Sequence, residues 1–259
     1  MPDELLIERR GAVLVATINR PDKLNALNAA VLAGLHRAFD EAAADAATRA
    51  VLLTGAGRGF SAGQDLAEGV IAPGQDLGMT LEQTYNPLIL KMRDLPKPVV
   101  VAVNGIAAGA GCNIALAGDI ILAARSASFI QVFARIALIP DAGGTFWLAQ
   151  RLGEARAKAL AMLAEPLPAA TAAEWGLIWK VVDDGTLIDE ALALATRLAD
   201  GPTVSYGLTK RAIHAASGSD LESQLKLERE LQREAGRSPD VAEAVAAFLE
   251  KRKARFSGL

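Results

Sequence analysis

The sequence predicts an α/β fold, a core of strand-then-helix units joined by right-handed crossovers and followed by a helical C-terminal part. Three observations carry this. Short apolar, β-branched runs alternate with helical patterns up to about residue 180, and from Pro202 onward the chain is almost all helical. The stretch from Lys97 to Gly144 reads as strand, tight glycine turn, helix, strand and a second glycine-flanked helix start. Residues 1–200 are therefore expected to form the core with the ligand site, and 201–259 a C-terminal helical region.

Taken in order, Leu5 to Glu8 and Val13 to Asn19 alternate and read as a hairpin around Arg10-Gly11. Arg20-Pro21-Asp22 breaks the second strand, and Asn28 caps a helix that runs to about Ala46. Ala50 to Thr54 is a short buried strand, followed by the loop Gly55 to Gly59. Val70 to Thr80 has no strong period and contains Pro73, Gly74 and Gly78, which predicts a mobile loop. A helix over Leu81 to Arg93 ends at Leu95-Pro96-Lys97-Pro98. Pro98 to Gly105 is an apolar run that ends at a glycine, and Ile120 to Ala124 is a second such run. Helices follow over Ala142 to Leu152, Glu154 to Leu163 and Thr171 to Trp175, the last capped by Gly176. Ile178 to Val182 is a strand, and Leu187 to Ala199 an amphipathic helix. Val204 to Ala216, Asp220 to Ala235 and Pro239 to Arg255 complete the helical end.

Composition bounds the function. The 259 residues are 51% hydrophobic and 22% charged, a globular rather than a disordered balance. A net charge of -3 gives no electrostatic footprint for nucleic acid. Cys112 is the single cysteine, so neither an internal disulfide nor a thiolate metal cluster can form, and His36 and His214 are too few to build a metal site. No apolar run reaches the roughly 18 residues of a membrane span. The N-terminal Met-Pro-Asp-Glu lacks the pattern of a secretory leader, so the cytoplasm is the expected location.

The chemistry concentrates in two turns. Helix starts leave N–H groups without intrahelical partners, and the small residues Gly109, Ala110 and Gly111 let a ligand approach such donors closely. An oxygen that becomes anionic during a reaction could be held there. Asp141 follows Leu138-Ile-Pro and precedes Ala142-Gly143-Gly144 in an otherwise uncharged segment. A carboxylate in that place is either a helix cap or a general base in a dry pocket.

Two other patterns compete. Gly59-Phe60-Ser61-Ala62-Gly63 fits the G-x-S-x-G nucleophile elbow, and Asp183 or Asp189 with His214 supplies the triad order. The elbow needs its serine at a strand end, whereas Gly55 to Gly59 separates Ser61 from its strand and His214 falls in a helical run. The glycines at 55, 57 and 59 do not complete a dinucleotide fingerprint, because position 60 is Phe.

Asn19-Arg20-Pro21 with Leu24-Asn25-Ala26-Leu27, Phe60 to Leu66, Pro96-Lys97-Pro98, Asn104 to Gly111, Gly118-Asp119-Ile120, Gly143-Gly144-Thr145 and Phe248 to Phe256 together resemble the enoyl-CoA hydratase/isomerase (crotonase) superfamily. The motifs occur in family order along essentially the whole chain. The resemblance implies a crotonase-like spiral of ββα units with a C-terminal trimerisation region, and trimers that pair into hexamers. It implies an acyl-CoA substrate, with no separate cofactor and no metal, whose thioester oxygen takes N–H bonds from Ala62 and Ala110. CoA is expected near Lys23, Leu24 and Ala26, along Ala62, Gly63, Gln64, Asp65 and Leu66, and beside Gly109, Asn113 and Phe133. Lys251 and Phe256 are expected to reach it as well, from the same subunit or a neighbour.

One departure narrows the chemistry. Family hydratases use two glutamates to activate and deliver water, and their positions match Asn113 and Phe133, neither of which is an acid or base. Asp141 matches the place where some family isomerases put their catalytic carboxylate. One carboxylate can take a proton from one carbon and return it to another. Thr54 to Phe60, Asp76 to Met79, Tyr85 to Leu88, Leu138 to Asp141, Glu174 to Trp179 and Ala235 to Ser238 bring the resemblance closer to the ring-1,2-epoxyphenylacetyl-CoA isomerases of phenylacetate breakdown. These form the oxepin thioester and shift 3-enoyl-CoA to 2-enoyl-CoA. The expected function is thus acyl-CoA isomerisation. The alternatives are a hydratase of the same superfamily, a Ser61 hydrolase, and a silent acyl-CoA-binding subunit paired with an active relative.

Overall fold

The alternating N-terminal run forms the expected hairpin. In the computed structural model, which describes residues 3–68, 74 and 76–259, Leu5–Arg10 (β1) and Val13–Ile18 (β2) pair antiparallel, with Gly11 at φ +60° in the turn. Asn28 then caps Ala29–Ala44 (α1), its side-chain oxygen accepting from the Val31 N–H at 2.9 Å. The α1 residues Val31, Leu35 and Phe39 recur every four positions and are fully buried, the face a helix presents to a core.

From here the chain repeats one unit. Ala50–Gly55 (β3) is followed by Gly59–Ser61 (β4) and a helical segment: Leu77–Thr80 (α2), a π-turn at Leu81–Tyr85 and Asn86–Asp94 (α3). Val99–Val103 (β5) and Ile106–Ala108 (β6) lead to Gly109–Leu116 (α4). Ile120–Ala124 (β7) and Ser128–Ile130 (β8) lead to Gly144–Leu163 (α5). Leu167–Pro168 (β9), Ala169–Glu174 (α6), Lys180–Val182 (β10) and Leu187–Ala199 (α7) close the core. From β3 to β8 the first strand of each repeat joins a six-stranded sheet, order β1-β2-β3-β5-β7-β10, and the second a four-stranded sheet, order β4-β6-β8-β9; β9 and β10 reverse that assignment. The larger sheet is parallel from β2 to β10. Every residue of β3 and β5 is buried, as continuous apolar strands covered on both faces must be. The result is a spiral of ββα turns.

Thr203–Ala216 (α8), Leu221–Ala235 (α9) and Pro239–Leu249 (α10) form the C-terminal part. Lys210 of α8 ties it to the core: its Nζ lies 2.9 Å from Asp119 Oδ2, which also accepts from the Val99 N–H at 2.8 Å. Leu221, Leu225, Val245 and Phe248 remain exposed on α9 and α10.

Several expectations are corrected. The helix expected to Arg255 ends at Leu249, because Lys251 turns to φ +55° and the tail is pinned back. Arg49 Nη1 donates to the Phe256 carbonyl at 3.0 Å, and Ser257 and Gly258 donate main-chain N–H bonds to Asp240. The two helices expected over Ala142 to Leu152 and Glu154 to Leu163, by contrast, are both present and meet at Gly153, whose φ of +75° interrupts α5. The loop expected over Val70 to Thr80 lies partly outside the described residues; its end, Leu77–Thr80, is helical and capped by Asp76. β8 and β9, with three and two residues, are too short to leave a period in the sequence.

The Leu24-Asn25-Ala26 motif turns out to be a structural lock. Leu24 and Asn25 both hold positive φ, 49° and 57°, which costs a non-glycine residue about 1–2 kcal/mol. Asn25, fully buried, offsets this with its side chain: Oδ1 accepts from the Arg20 N–H at 2.8 Å, and Nδ2 donates to the Ala56 and Gly59 carbonyls at 2.9 and 2.6 Å. Asn25→Ala leaves those groups without their partner and is expected to destabilise by about 2–4 kcal/mol. Urea unfolding would show it as a lower midpoint at unchanged slope.

Candidate active site

The loop between β8 and α5 places a carboxylate in an apolar cleft. A 3-10 turn over Val132–Ile136 and the segment Leu138-Ile139-Pro140 bring the chain to Asp141, after which Ala142 and Gly143 adopt φ +45° and +80° to start α5. Asp141 does not cap that helix: no side chain caps α5, and Asp141 Oδ1 is buried without a hydrogen-bond partner among the described residues. Its main-chain carbonyl instead accepts from the Gly144 N–H and from Asn113 Nδ2, both at 2.8 Å. Burial pushes the Asp141 carboxyl up to about 6. The cleft in front of it has a volume of about 440 Å³, and among the described residues Asp141 is the one carboxylate that lines it.

Two residues that line the same cleft carry main-chain N–H groups without an acceptor. The segment 62–65 runs alongside 24–27: Ala62 N–H donates to Leu24 O at 2.9 Å, Leu27 N–H to Gly63 O at 2.7 Å, and Asp65 N–H to Leu27 O at 2.8 Å. This pairing leaves the Gln64 N–H turned away from Leu27 and without an acceptor among the described residues. Ala110, in the first turn of α4, likewise has no acceptor for its N–H. The 62–65 segment and the start of α4 touch through Gly63 and Gly109. A Cβ on Gly63, at φ +90°, would fall 2.9 Å from the Ala108 carbonyl, and one on Gly109 would meet Val132 at 3.2 Å. The expectation for Ala62 is therefore corrected. Its N–H is spent on Leu24, and the free donor two residues on is Gln64.

The enoyl-CoA hydratase/isomerase family model matches residues 8–258. The chain belongs to that family. It is 49% identical over the full length of both chains to 1,2-epoxyphenylacetyl-CoA isomerase of Escherichia coli K12. It is 48% identical to a Rhodobacter capsulatus protein named probable enoyl-CoA hydratase, over 94% of each chain. Among solved structures, enoyl-CoA hydratase from Bacillus anthracis superposes with a TM-score of 0.94 at 32% identity, over 99% of this chain and 100% of that one. The ββα spiral is the crotonase fold, and the chain is an enzyme of that superfamily.

As a crotonase-family member the chain shows which expected contacts share the cleft. Ala62, Gly63, Gln64, Leu66, Gly109, Ala110, Phe133 and Asp141 line it. Lys23, Leu24, Ala26 and Asp65 do not: they build the turn that carries Gln64, and Asp65 pairs with Arg20 at 2.9 Å. Asn113 is also outside the cleft. It is fully buried, takes a 2.8 Å bond from Gln131 and passes its own to the Asp141 carbonyl, so it positions the acid from behind. Lys251 and Phe256 of the same chain lie elsewhere, because Arg49 and Asp240 hold the tail.

The hydrolase reading fails on geometry. Ser61 is buried, donates to the Asn25 carbonyl at 2.9 Å and accepts from the Gly63 N–H. His36 bonds the Thr84 carbonyl, and His214 lines a different cleft. Sequence reasoning missed Tyr85, whose buried hydroxyl donates to Gln64 Oε1 in the cleft. Burial, then the Asp141 charge, raises its phenol further above its ordinary value. Leu77, Leu81 and Tyr85 all line the cleft, and their spacing of four was the signal that could have found them.

Proposed function

We propose that this chain isomerises acyl-CoA thioesters, converting ring-1,2-epoxyphenylacetyl-CoA to the oxepin thioester and shifting 3-enoyl-CoA to 2-enoyl-CoA. The observation that supports it most is a single buried carboxylate, free of hydrogen bonds at Oδ1, that shares an apolar cleft with two unengaged N–H donors. The thioester oxygen accepts from Gln64 and Ala110, and the charge that arrives there meets preorganised donors. The carbon beside the carbonyl thereby becomes acidic, and Asp141 removes its proton. In an enoyl thioester the double bond moves into conjugation and Asp141 returns the proton to the far carbon. In the epoxide, the electron shift opens the ring C–C bond and the proton returns to a ring carbon. Both are isomerisations without a cofactor, with no atoms gained or lost.

Hydration needs a second acid or base to deliver water, and Asn113 and Phe133 supply neither. Incubation with a 3-enoyl-CoA tests the reading: conjugated 2-enoyl thioester appears, seen by its ultraviolet absorbance. Release of free CoA would instead mark a hydrolase, and no change a silent subunit. The exposed apolar residues of α9 and α10 support a trimer or hexamer as the working assembly, and a stable monomer by light scattering would overturn that part. Among the described residues no helix is long and apolar enough to cross a membrane, in keeping with a cytoplasmic enzyme.

The pH dependence follows from the buried acid. Asp141 works as a base only when ionised, and burial raises its pKa to about 6. The kcat/KM for a non-ionising enoyl substrate is expected to rise tenfold per pH unit below about 6 and to level off above it. A profile flat down to pH 4.5 would show that another group carries the step.

A further inference from the structure

A second cleft, of about 420 Å³, opens between the end of α3, the first half of α5 and α8. That volume falls within the roughly 300–1,000 Å³ of small-molecule sites. Three cations reach it, and they differ in what they already hold. Lys210 is paired with Asp119 at 2.9 Å and also donates to the Met92 carbonyl. Arg151 donates to the carbonyls of Leu116 and Leu177 at 2.7 and 3.2 Å. Arg93 makes no hydrogen bond or ion pair among the described residues.

Arg93 lies instead against two aromatic rings. Its guanidinium carbon lies 5.1 Å from the ring centroids of both Phe146 and Trp147, which cross at 86°. A contact with ring faces uses no hydrogen-bond acceptor, so the Arg93 N–H donors have no partner among the described residues. The acids nearest in charge to Arg93 are Asp94 and Asp119, and Asp119 is already engaged by Lys210. The neighbouring imidazole reports the local field. Burial, then Arg93, Lys210 and Arg151, push His214 down to about 4, so it stays neutral in a cationic cleft.

We infer that this cleft is a second ligand site for a small carboxylate with a flat apolar body. The carboxylate is received by the unpartnered N–H donors of Arg93 and the body lies against Phe146, Trp147 and Ile213. The fork of a guanidinium matches the two oxygens of a carboxylate, which it binds in parallel. Arg93 is the one of the three cations without a hydrogen-bond partner among the described residues, and the Asp119 carboxylate lines the same space; this favours a monoanion over a phosphate dianion.

Benzoate is the probe, titrated into the full-length protein at constant ionic strength while tryptophan emission and thermal stability are followed. Trp147 lies against Arg93 and serves as the reporter, and Trp147→Phe removes that signal while the stability shift remains. Saturable binding is expected, weakened by about 10–100-fold in Arg93→Met. Arg93→Lys, which keeps the charge and removes the fork, is expected to lose most of the affinity with isomerase kinetics unchanged. Saturating acyl-CoA and Asp141→Asn are expected to leave the binding intact, which separates this cleft from the Asp141 pocket. The proposal is overturned by absence of saturable binding, by equal binding of benzyl alcohol or inorganic phosphate, by competition with acyl-CoA, or by wild-type affinity in Arg93→Lys.

Discussion

Asp141→Asn is expected to lower isomerase turnover by about 10²–10⁴-fold, the range lost with a general base. The isostere keeps the loop intact, because what Asn113 and Gly144 bind is the Asp141 main-chain carbonyl rather than its side chain. Acyl-CoA affinity should therefore persist, with kcat carrying the loss. The same substitution is expected to stabilise the fold near neutral pH. A carboxyl raised from 3.8 to about 6 by burial is more stable protonated in the folded chain than in the unfolded one. Its favourable contribution is complete below about 3.8 and is lost as pH rises through about 6. At pH 8 the buried anion costs on the order of 3 kcal/mol, relieved when Asn removes the charge. Melting curves of both forms should diverge above pH 6 and converge near pH 4. Near-normal turnover in Asp141→Asn would remove the acid from the mechanism.

Ala110→Pro is expected to cost about 10²–10³-fold in kcat, the loss typical of one oxyanion donor. Position 110 lies in the first turn of α4, where the N–H has no intrahelical partner and proline is tolerated. Fold and melting temperature should change little, while kcat and kcat/KM fall together because the bond tightens as charge reaches the oxygen. Ala110→Gly keeps the donor and is expected to retain activity within a few-fold. The comparison isolates the N–H from the side chain. Turnover of Ala110→Pro within a few-fold of wild type would show that the thioester oxygen is held elsewhere.

How far the sequence reaches can be judged residue by residue. The hairpin, the Asn28 cap, the buried β3 and β5 strands and the break at Gly153 were legible because each is a local event. Alternation, cap chemistry and glycine conformation act over a few residues, and the chain carries their signature directly. Asp141 was legible as well, since a lone carboxylate among apolar and glycine residues stands out along the chain. That it is a free base rather than a cap was not. The choice depends on where Asn113 and Gly144 send their hydrogen bonds, and Asn113 lies 28 positions away.

The oxyanion donor shows the same boundary. By sequence Ala62 and Gln64 are neighbours in one motif, and every residue there has an N–H to give. Only the pairing of 62–65 with 24–27 spends the Ala62 donor on Leu24 and leaves that of Gln64, a residue lining the cleft, without an acceptor. The tail is a third case: the charge-rich end from Lys251 reads as helix, and its course is decided by Arg49 and Asp240, remote in sequence and adjacent in space. The sequence alone determined the fold class, the family, the acid and the absence of a second acid at positions 113 and 133. The tertiary structure decided which donors are unspent and which side chains reach the cleft, because hydrogen-bond partners and burial are properties of segments brought together by folding.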